Sequence, residues 1–183
     1  NYSGIIQWVK ETMANPVAIN GGIFLISALS LMVALISQYI YGLQPCILCI
    51  YQRWPYGITA LLGIIGLIAL YKEEWSSYAA LTVFLSSITF FIGSTIAFYH
   101  SGVEQHWWVS ILEGCKVDFT PGSVEDIISL MENKPAVRCD EIPWADPLFG
   151  LSMAAYNTMM SFGLGLGCVI SAIMIRRKAN GVL

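Results

Sequence analysis

Pro45-Cys46-Ile47-Leu48-Cys49-Ile50-Tyr51-Gln52-Arg53 interrupts the most apolar part of the chain. No Asp, Glu, Lys or Arg occurs from Thr12 to Gln52 and none from Trp54 to Tyr71, so Arg53 is the one basic residue across both runs. Each run exceeds or approaches the ~20 apolar residues that a crossing helix needs, which makes the quoted stretch a loop between two membrane helices. A helix begun near Cys46 carries both cysteines and Arg53 on one face, since positions three and seven residues on fall on that side. A cation and a helix N-terminus both favour the thiolate, the reacting species in disulfide exchange. The motif alone leaves two other readings open. Soluble thioredoxin-like sites and half zinc sites share the Cys-x-x-Cys, and a lone arginine near a membrane edge also snorkels to the headgroups.

Composition supports the membrane reading. The chain has 183 residues, enough for one domain, with 56% hydrophobic and 11% charged residues and a mean hydropathy of +0.66. Soluble domains carry about 25% charged residues. The net charge of −3 gives a nucleic-acid role no electrostatic support. Of the five cysteines, Cys46, Cys49, Cys115 and Cys139 fall in expected loops and Cys168 in an apolar run, a usage that suits an oxidising compartment on the loop side. The first apolar run is longer than a secretory leader's and is followed by no small-residue cleavage site, so it is expected to remain as a span.

The expected fold is an all-α membrane protein, a single domain over 1–183 built as a bundle of four transmembrane helices. The spans lie at about 17–40, 53–71, 78–99 and 148–175, and two loops, about 41–52 and 100–147, join them on one side. Ser86, Ser87, Gly93 and Ser94 give the third span a small-residue face suited to close packing in lipid. Orientation follows from the basic residues. Lys10, Lys72, Arg176, Arg177 and Lys178 lie in short segments of one side, whereas the long loop sets Lys116, Lys134 and Arg138 against nine acidic residues from Glu104 to Asp146. The positive-inside rule places both termini in the cytoplasm and both loops outside. Within the long loop, Ser123 with Asp126 marks a helix start, and Val124, Ile127, Ile128 and Met131 follow at helical spacing, giving a short amphipathic helix.

Four cysteines therefore face one compartment, Cys46 and Cys49 close together, Cys115 and Cys139 far apart. A structural zinc site usually shows two tight pairs, which the second couple is not, so no metal is expected. A disulfide staple gives no reason for an arginine beside the sulfurs. Redox chemistry accounts for both.

Taken together, Pro45-Cys46-x-x-Cys49-x-x-x-Arg53, Tyr99-His100-x-Gly102-Val103-Glu104, Cys115, Cys139-Asp140-x-x-Pro143-Trp144 and Phe149-Gly150-Leu151-Ser152-Met153-Ala154 resemble the disulfide bond formation protein B (DsbB) family over nearly the whole chain. That family belongs to the DsbA–DsbB–quinone system that keeps the bacterial periplasm oxidising. The resemblance implies a multi-pass inner-membrane protein-dithiol:quinone oxidoreductase that reoxidises a periplasmic DsbA-type thiol oxidase and passes electrons to ubiquinone or menaquinone. It implies that Cys115 forms the mixed disulfide with DsbA, that Cys139, its partner, exchanges with Cys46, and that Cys49 meets the quinone ring. Arg53 then stabilises the Cys49 thiolate and the reduced ring. A histidine near the quinone is implied at the end of the third span, where His100 fits the motif better than His106. Gln52 stands where some members carry a carboxylate. The acidic loop also suits the DsbI-like branch, which serves one specialised DsbA relative. Two further readings are a vitamin K epoxide reductase-like quinone reductase, whose Cys-x-x-Cys comes late in the chain, and a disulfide-stapled scaffold.

Overall fold

The computed structural model describes residues 2–71, 76–112, 115 and 138–181. The described residues form helices α1 (Tyr2–Met13), α2 (Pro16–Tyr39), α3 (Ile47–Tyr51), α4 (Arg53–Ala69), α5 (Ser76–Glu104) and α6 (Met153–Ala179), and among them there is no strand. An isolated bridge joins Ala145 to Ser152. Among the described residues, three helices are long and apolar enough to cross a membrane: α2, α5 from Ser77 and α6, with mean hydropathies of 2.2, 1.9 and 1.9. α4 is shorter at 17 residues and packs between α2 and α5, while α5 lies along α6.

Local chemistry sets the helix starts. Asn15 caps α2, its Oδ1 accepting from the Val17 and Ala18 N–H groups at 3.0 and 3.3 Å, and Pro16 takes the first helical position, where no N–H is required. Ser152 caps α6 by accepting from the Ala155 N–H at 3.2 Å. A tight turn delivers it. Asp146 Oδ2 accepts from the Leu148 and Phe149 N–H groups, and Gly150 at φ 67° reverses the chain. The last helix therefore starts at Met153, after the expected 148, and runs on to Ala179 through its basic end. The third helix continues to Glu104, past the expected 99, because His100 and Glu104 find buried partners and need not leave the bundle. The second ends at Ala69. The amphipathic helix expected from Ser123 and the charged turn Lys72-Glu73-Glu74 lie outside the described residues.

The packing is that of a bundle in lipid. Leu25, Val33, Leu61, Phe84, Phe162 and Ile170 are exposed, whereas Asn20, Ser27, Thr59, Ser86 and Ser161 are buried between helices. In hydrocarbon the apolar faces gain nothing by hiding, so small and polar residues make the contacts. Several of the buried polar groups are paired across helices, as a medium without water favours. Asn20 Nδ2 donates to the Ala79 carbonyl at 3.2 Å, Thr82 Oγ1 donates to Asn20 Oδ1 at 2.9 Å, and Ser27 and Thr59 share a bond of 2.8 Å. On the small face foreseen for the third span, Ser94 Oγ donates to the Thr158 carbonyl of α6 at 3.0 Å, and a Cβ on Gly93 would stand 3.0 Å from Pro55.

At Gly66 a Cβ would run into the amide of Asn20. Gly66→Leu should therefore lower the melting temperature in detergent, at a cost of about 1–3 kcal/mol from overpacking. Gly57→Ala, at an open position, should not lower it; thermal unfolding of both proteins checks the difference.

Candidate redox site

Cys46 is where the loop becomes helix. It caps α3 at φ −71° and ψ 171°, and its Sγ accepts the Cys49 N–H at 3.3 Å. Gln52 ends α3 and starts α4 with its own backbone in the right-handed helical region, so the two short pieces follow almost continuously. Pro55 falls in the first turn of α4, where a missing N–H costs nothing. Cys46 and Cys49 are free, with sulfurs 3.2 Å apart. Cys115 and Cys139 form a disulfide.

The two cysteine couples lie in one buried cluster. Cys46, Leu48, Val103, Cys115 and Cys139 pack together, with Ile47, Cys49, Tyr99 and Leu112 around them. The end of α5 holds the second couple in place. Tyr99 stacks on Trp108, which donates to the Tyr99 carbonyl at 3.0 Å and lies over Gly102, where a Cβ would clash with its ring. The Tyr99 hydroxyl accepts from the Ile111 N–H at 3.0 Å, and the Cys115 N–H reaches the Leu112 carbonyl at 3.0 Å. On the other side of the disulfide, Arg138 grips Asp140 with two nitrogens at 3.0 and 2.6 Å, while Cys139 between them is fully buried.

His100 joins the couples. One ring nitrogen, Nε2, lies 3.5 Å from Cys46 Sγ and 3.7 Å from Glu104 Oε1, and the ring also interacts with the Cys139 backbone. The other, Nδ1, bonds Gln52 Nε2 at 2.8 Å. Glu104, on the next turn, is buried and bonds the Ser152 hydroxyl, so the end of α5 is clasped to the start of α6. Gln52 Oε1 accepts from Asn157 Nδ2 at 2.6 Å, and Asn157 Oδ1 accepts from the Tyr56 hydroxyl at 2.5 Å and from Ser161 at 3.1 Å.

Charge in this dithiol state rests on Cys46. The thiol hydrogen bond from Cys49 holds Cys46 far below the usual thiol range, at about 4, against burial and with help from His100. Cys49 is pushed up in turn, by the bond to Cys46, by burial and by the charge beside it. The resemblance implied a thiolate on Cys49 and a histidine near the quinone at His100; its ring lies against Cys46, 54 residues away in sequence.

Each candidate site residue named from sequence is among the described residues. Cys46, Cys49, Cys115, Cys139 and His100 come together. Arg53 is half-buried, and its Nη1 donates to Gln38 Oε1 at 2.7 Å. His106 is exposed, at φ 58°, with Nδ1 3.2 Å from the Val103 carbonyl. Cys168 is buried in the core with Phe90 and Ile175. Sequence reasoning gave Glu104 and Asn157 no role. Glu104 stood in the quoted Tyr99–Glu104 motif, and Asn157 showed only as a polar residue in an apolar run.

A bonded and a free cysteine couple, packed together at one end of membrane-length helices, define a thiol–disulfide protein of the membrane. Residues 18–171 match the family described as Disulfide bond formation protein DsbB, and the chain belongs to that family, as a multi-pass membrane oxidoreductase of disulfide bond formation. Among named relatives, Disulfide bond formation protein B of Chromohalobacter salexigens is 37% identical over 84% of this chain and 90% of its own length. The protein of the same name from Aromatoleum aromaticum is 28% identical over 87% and 92%. No solved structure gives a significant match.

Thiolate absorbance of the reduced protein, with a Cys46→Ala protein as the blank, checks the charge assignment. A lowered pKa keeps the acid ionised, so the Cys46 signal should persist as the pH falls from neutrality and disappear only through about 4. An ordinary thiol would lose it at about 8.5.

Proposed function

We propose that this protein is a dithiol:quinone oxidoreductase of the bacterial inner membrane, a bundle of four spanning helices with cytoplasmic termini, that reoxidises a periplasmic DsbA-type oxidase. The observation that carries the reading is the single buried cluster holding Cys46, Cys115 and Cys139, with Cys49 at its edge. Disulfide exchange needs an attacking thiolate in contact with a disulfide sulfur, and this packing provides such a neighbourhood. A thiolate of the partner attacks Cys115, the Cys115–Cys139 bond breaks, and Cys139 leaves as thiolate. The partner's second thiolate then displaces Cys115 and leaves as an oxidised disulfide. Cys139 attacks Cys46 in an oxidised Cys46–Cys49 pair and displaces Cys49, and Cys115 closes on Cys139 to release Cys46. Two electrons and two protons have then moved from the partner to the inner pair. The described state, with Cys115–Cys139 bonded and Cys46 and Cys49 free, has the connectivity expected after that transfer.

A quinone supplies the final two-electron, two-proton acceptor. An open groove of about 500 Å³ between α2 and α4, lined by Leu31, Met32, Leu35, Ile36, Tyr39 and Ala60 among others, has the apolar character that suits an isoprenoid tail. Tyr39 at its outer end follows Gln38, the residue that holds Arg53. Arg53 is the cation that would face the ring oxygens, with Cys49 as the electron-donating sulfur and His100 behind Cys46. DsbA sits near −120 mV, so its disulfide is regenerated only by an acceptor that something else keeps drawing electrons from. Respiration does that for a quinone.

The test combines the purified protein in detergent, a reduced DsbA-type protein and a soluble quinone, with thiol loss and quinol formation followed together. Matched loss and formation are expected, and thiol loss without quinol would remove the quinone from the reading. Serine at Cys46, Cys49, Cys115 or Cys139 should abolish turnover, while Cys168→Ala should retain it.

Arg53→Ala should raise the quinone KM about ten- to hundredfold, the worth of a charge-assisted hydrogen bond of about 1.5–3 kcal/mol. Arg53→Lys should fall between, since it keeps the charge and loses the planar fork. Mixed-disulfide formation at Cys115 should not change in either; steady-state kinetics and trapping of the partner adduct separate the two effects.

A further inference from the structure

Buried amides and hydroxyls must satisfy one another, and that requirement determines which nitrogen of His100 carries its proton. Gln52 is buried, and the side-chain atom facing His100 Nδ1 at 2.8 Å also faces the Leu48 carbonyl oxygen at 3.4 Å. An amide oxygen there would meet the carbonyl oxygen unfavourably, so the NH₂ occupies that position. Gln52 Oε1 then takes the Asn157 NH₂ at 2.6 Å, which leaves Asn157 Oδ1 to accept from the Tyr56 and Ser161 hydroxyls, as it does. Every donor in the chain points the same way, from the middle of the bundle toward the cysteines. At its end, Nδ1 can only accept.

We propose that Gln52 is a positioning residue that locks His100 in the Nε2–H tautomer, so that the neutral ring presents an N–H donor to the Cys46 sulfur 3.5 Å away. With the proton on Nδ1 the ring would aim a lone pair at that sulfur and repel a thiolate. The titratable groups facing the ring are Cys46 and Cys49 from the α3 segment and Glu104 from its own helix, among the described residues. The assignment also bears on metals. Cys46, Cys49 and His100 place ligand atoms within 4.8 Å of one another, a spacing that suits a soft ion. A ring whose Nε2 holds the proton has no lone pair there to give, so Gln52 biases the trio toward thiol chemistry and away from metal capture.

This inference rests on the proposed function for the importance of Cys46, but its primary readout is the ring itself. The reduced protein would be purified in detergent with heavy-nitrogen histidine in a His106→Asn background, so that His100 is the one labelled ring. Nitrogen chemical shifts at neutral pH are expected to show a protonated Nε2 and a bare Nδ1. Gln52→Leu should spread the proton over both nitrogens and lower the Cys46 thiolate-to-thiol ratio about tenfold, the effect of losing a well-aligned donor worth about 1.4 kcal/mol. Gln52→Glu, nearly isosteric and the variant to read if the leucine protein does not fold, should accept from an Nδ1–H and hold both nitrogens protonated. A wild-type ring with its proton on Nδ1, or a Gln52→Glu ring indistinguishable from wild type, would overturn the proposal. Absent quinone turnover with the tautomer as expected would sink the proposed function and leave this inference standing.

Discussion

The buried bond between Gln52 and His100 is the constraint on which the site depends. It ties the start of α4 to the end of α5 at a depth where water is not at hand to replace it. An unsatisfied buried donor or acceptor costs about 1–3 kcal/mol, comparable to a sizeable fraction of a domain's stability. Every member of the chain from Tyr56 through Asn157 and Gln52 is therefore held by its neighbours, and the order that this imposes reaches the Cys46 sulfur.

The same logic explains why the helices meet as they do. In lipid, large apolar residues have no reason to seek the interior, so the interior is left to small and polar side chains. Asn20 with Thr82, Ser27 with Thr59 and Ser94 with the Thr158 carbonyl are the resulting cross-helix bonds. Glu104 with Ser152 makes another at the end where the cysteines lie, and the Ser152 hydroxyl also caps α6, so one side chain sets both a helix start and a helix–helix clasp. Trp108 lies over Gly102 and stacks on Tyr99, which packs against the cluster that holds the Cys115–Cys139 disulfide.

Within that frame the two couples differ in chemistry because they differ in surroundings. Cys46 sits at a helix start with a backbone N–H, a neighbouring thiol and an imidazole all directed at its sulfur, and it carries the charge. Cys49, one turn on, takes the proton and donates it back. Cys139 is fully buried between an exposed arginine and an aspartate that bind each other, which presents the disulfide from a stiffened piece of loop. Arg53 is engaged with Gln38 in this state, a neutral acceptor that it can exchange for another without paying the cost of breaking an ion pair.

Much was legible in the sequence because hydropathy and charge are local properties. The bare runs on either side of Cys46–Arg53 announce membrane helices, and the Cys46/Cys49 spacing points to thiol chemistry once Arg53 and the widely spaced Cys115 and Cys139 are set beside it. The motifs quoted around Tyr99–Glu104 and Cys139–Ala154 were enough to point to the family to which the chain belongs. Helix ends were less legible. Where a helix stops depends on whether its last polar side chains find partners, and His100 and Glu104 find theirs on other elements, so α5 runs on to Glu104. The direction of the hydrogen-bond chain behind Cys46 was not legible at all. Gln52 meets His100 across 48 residues and Asn157 across 105, and the direction of their bonds follows from which atoms are buried face to face. Sequence determined that this chain enters the membrane and carries exchangeable sulfurs; only the tertiary packing, which denies these amides any other partner, decided which sulfur holds the charge and which ring nitrogen faces it.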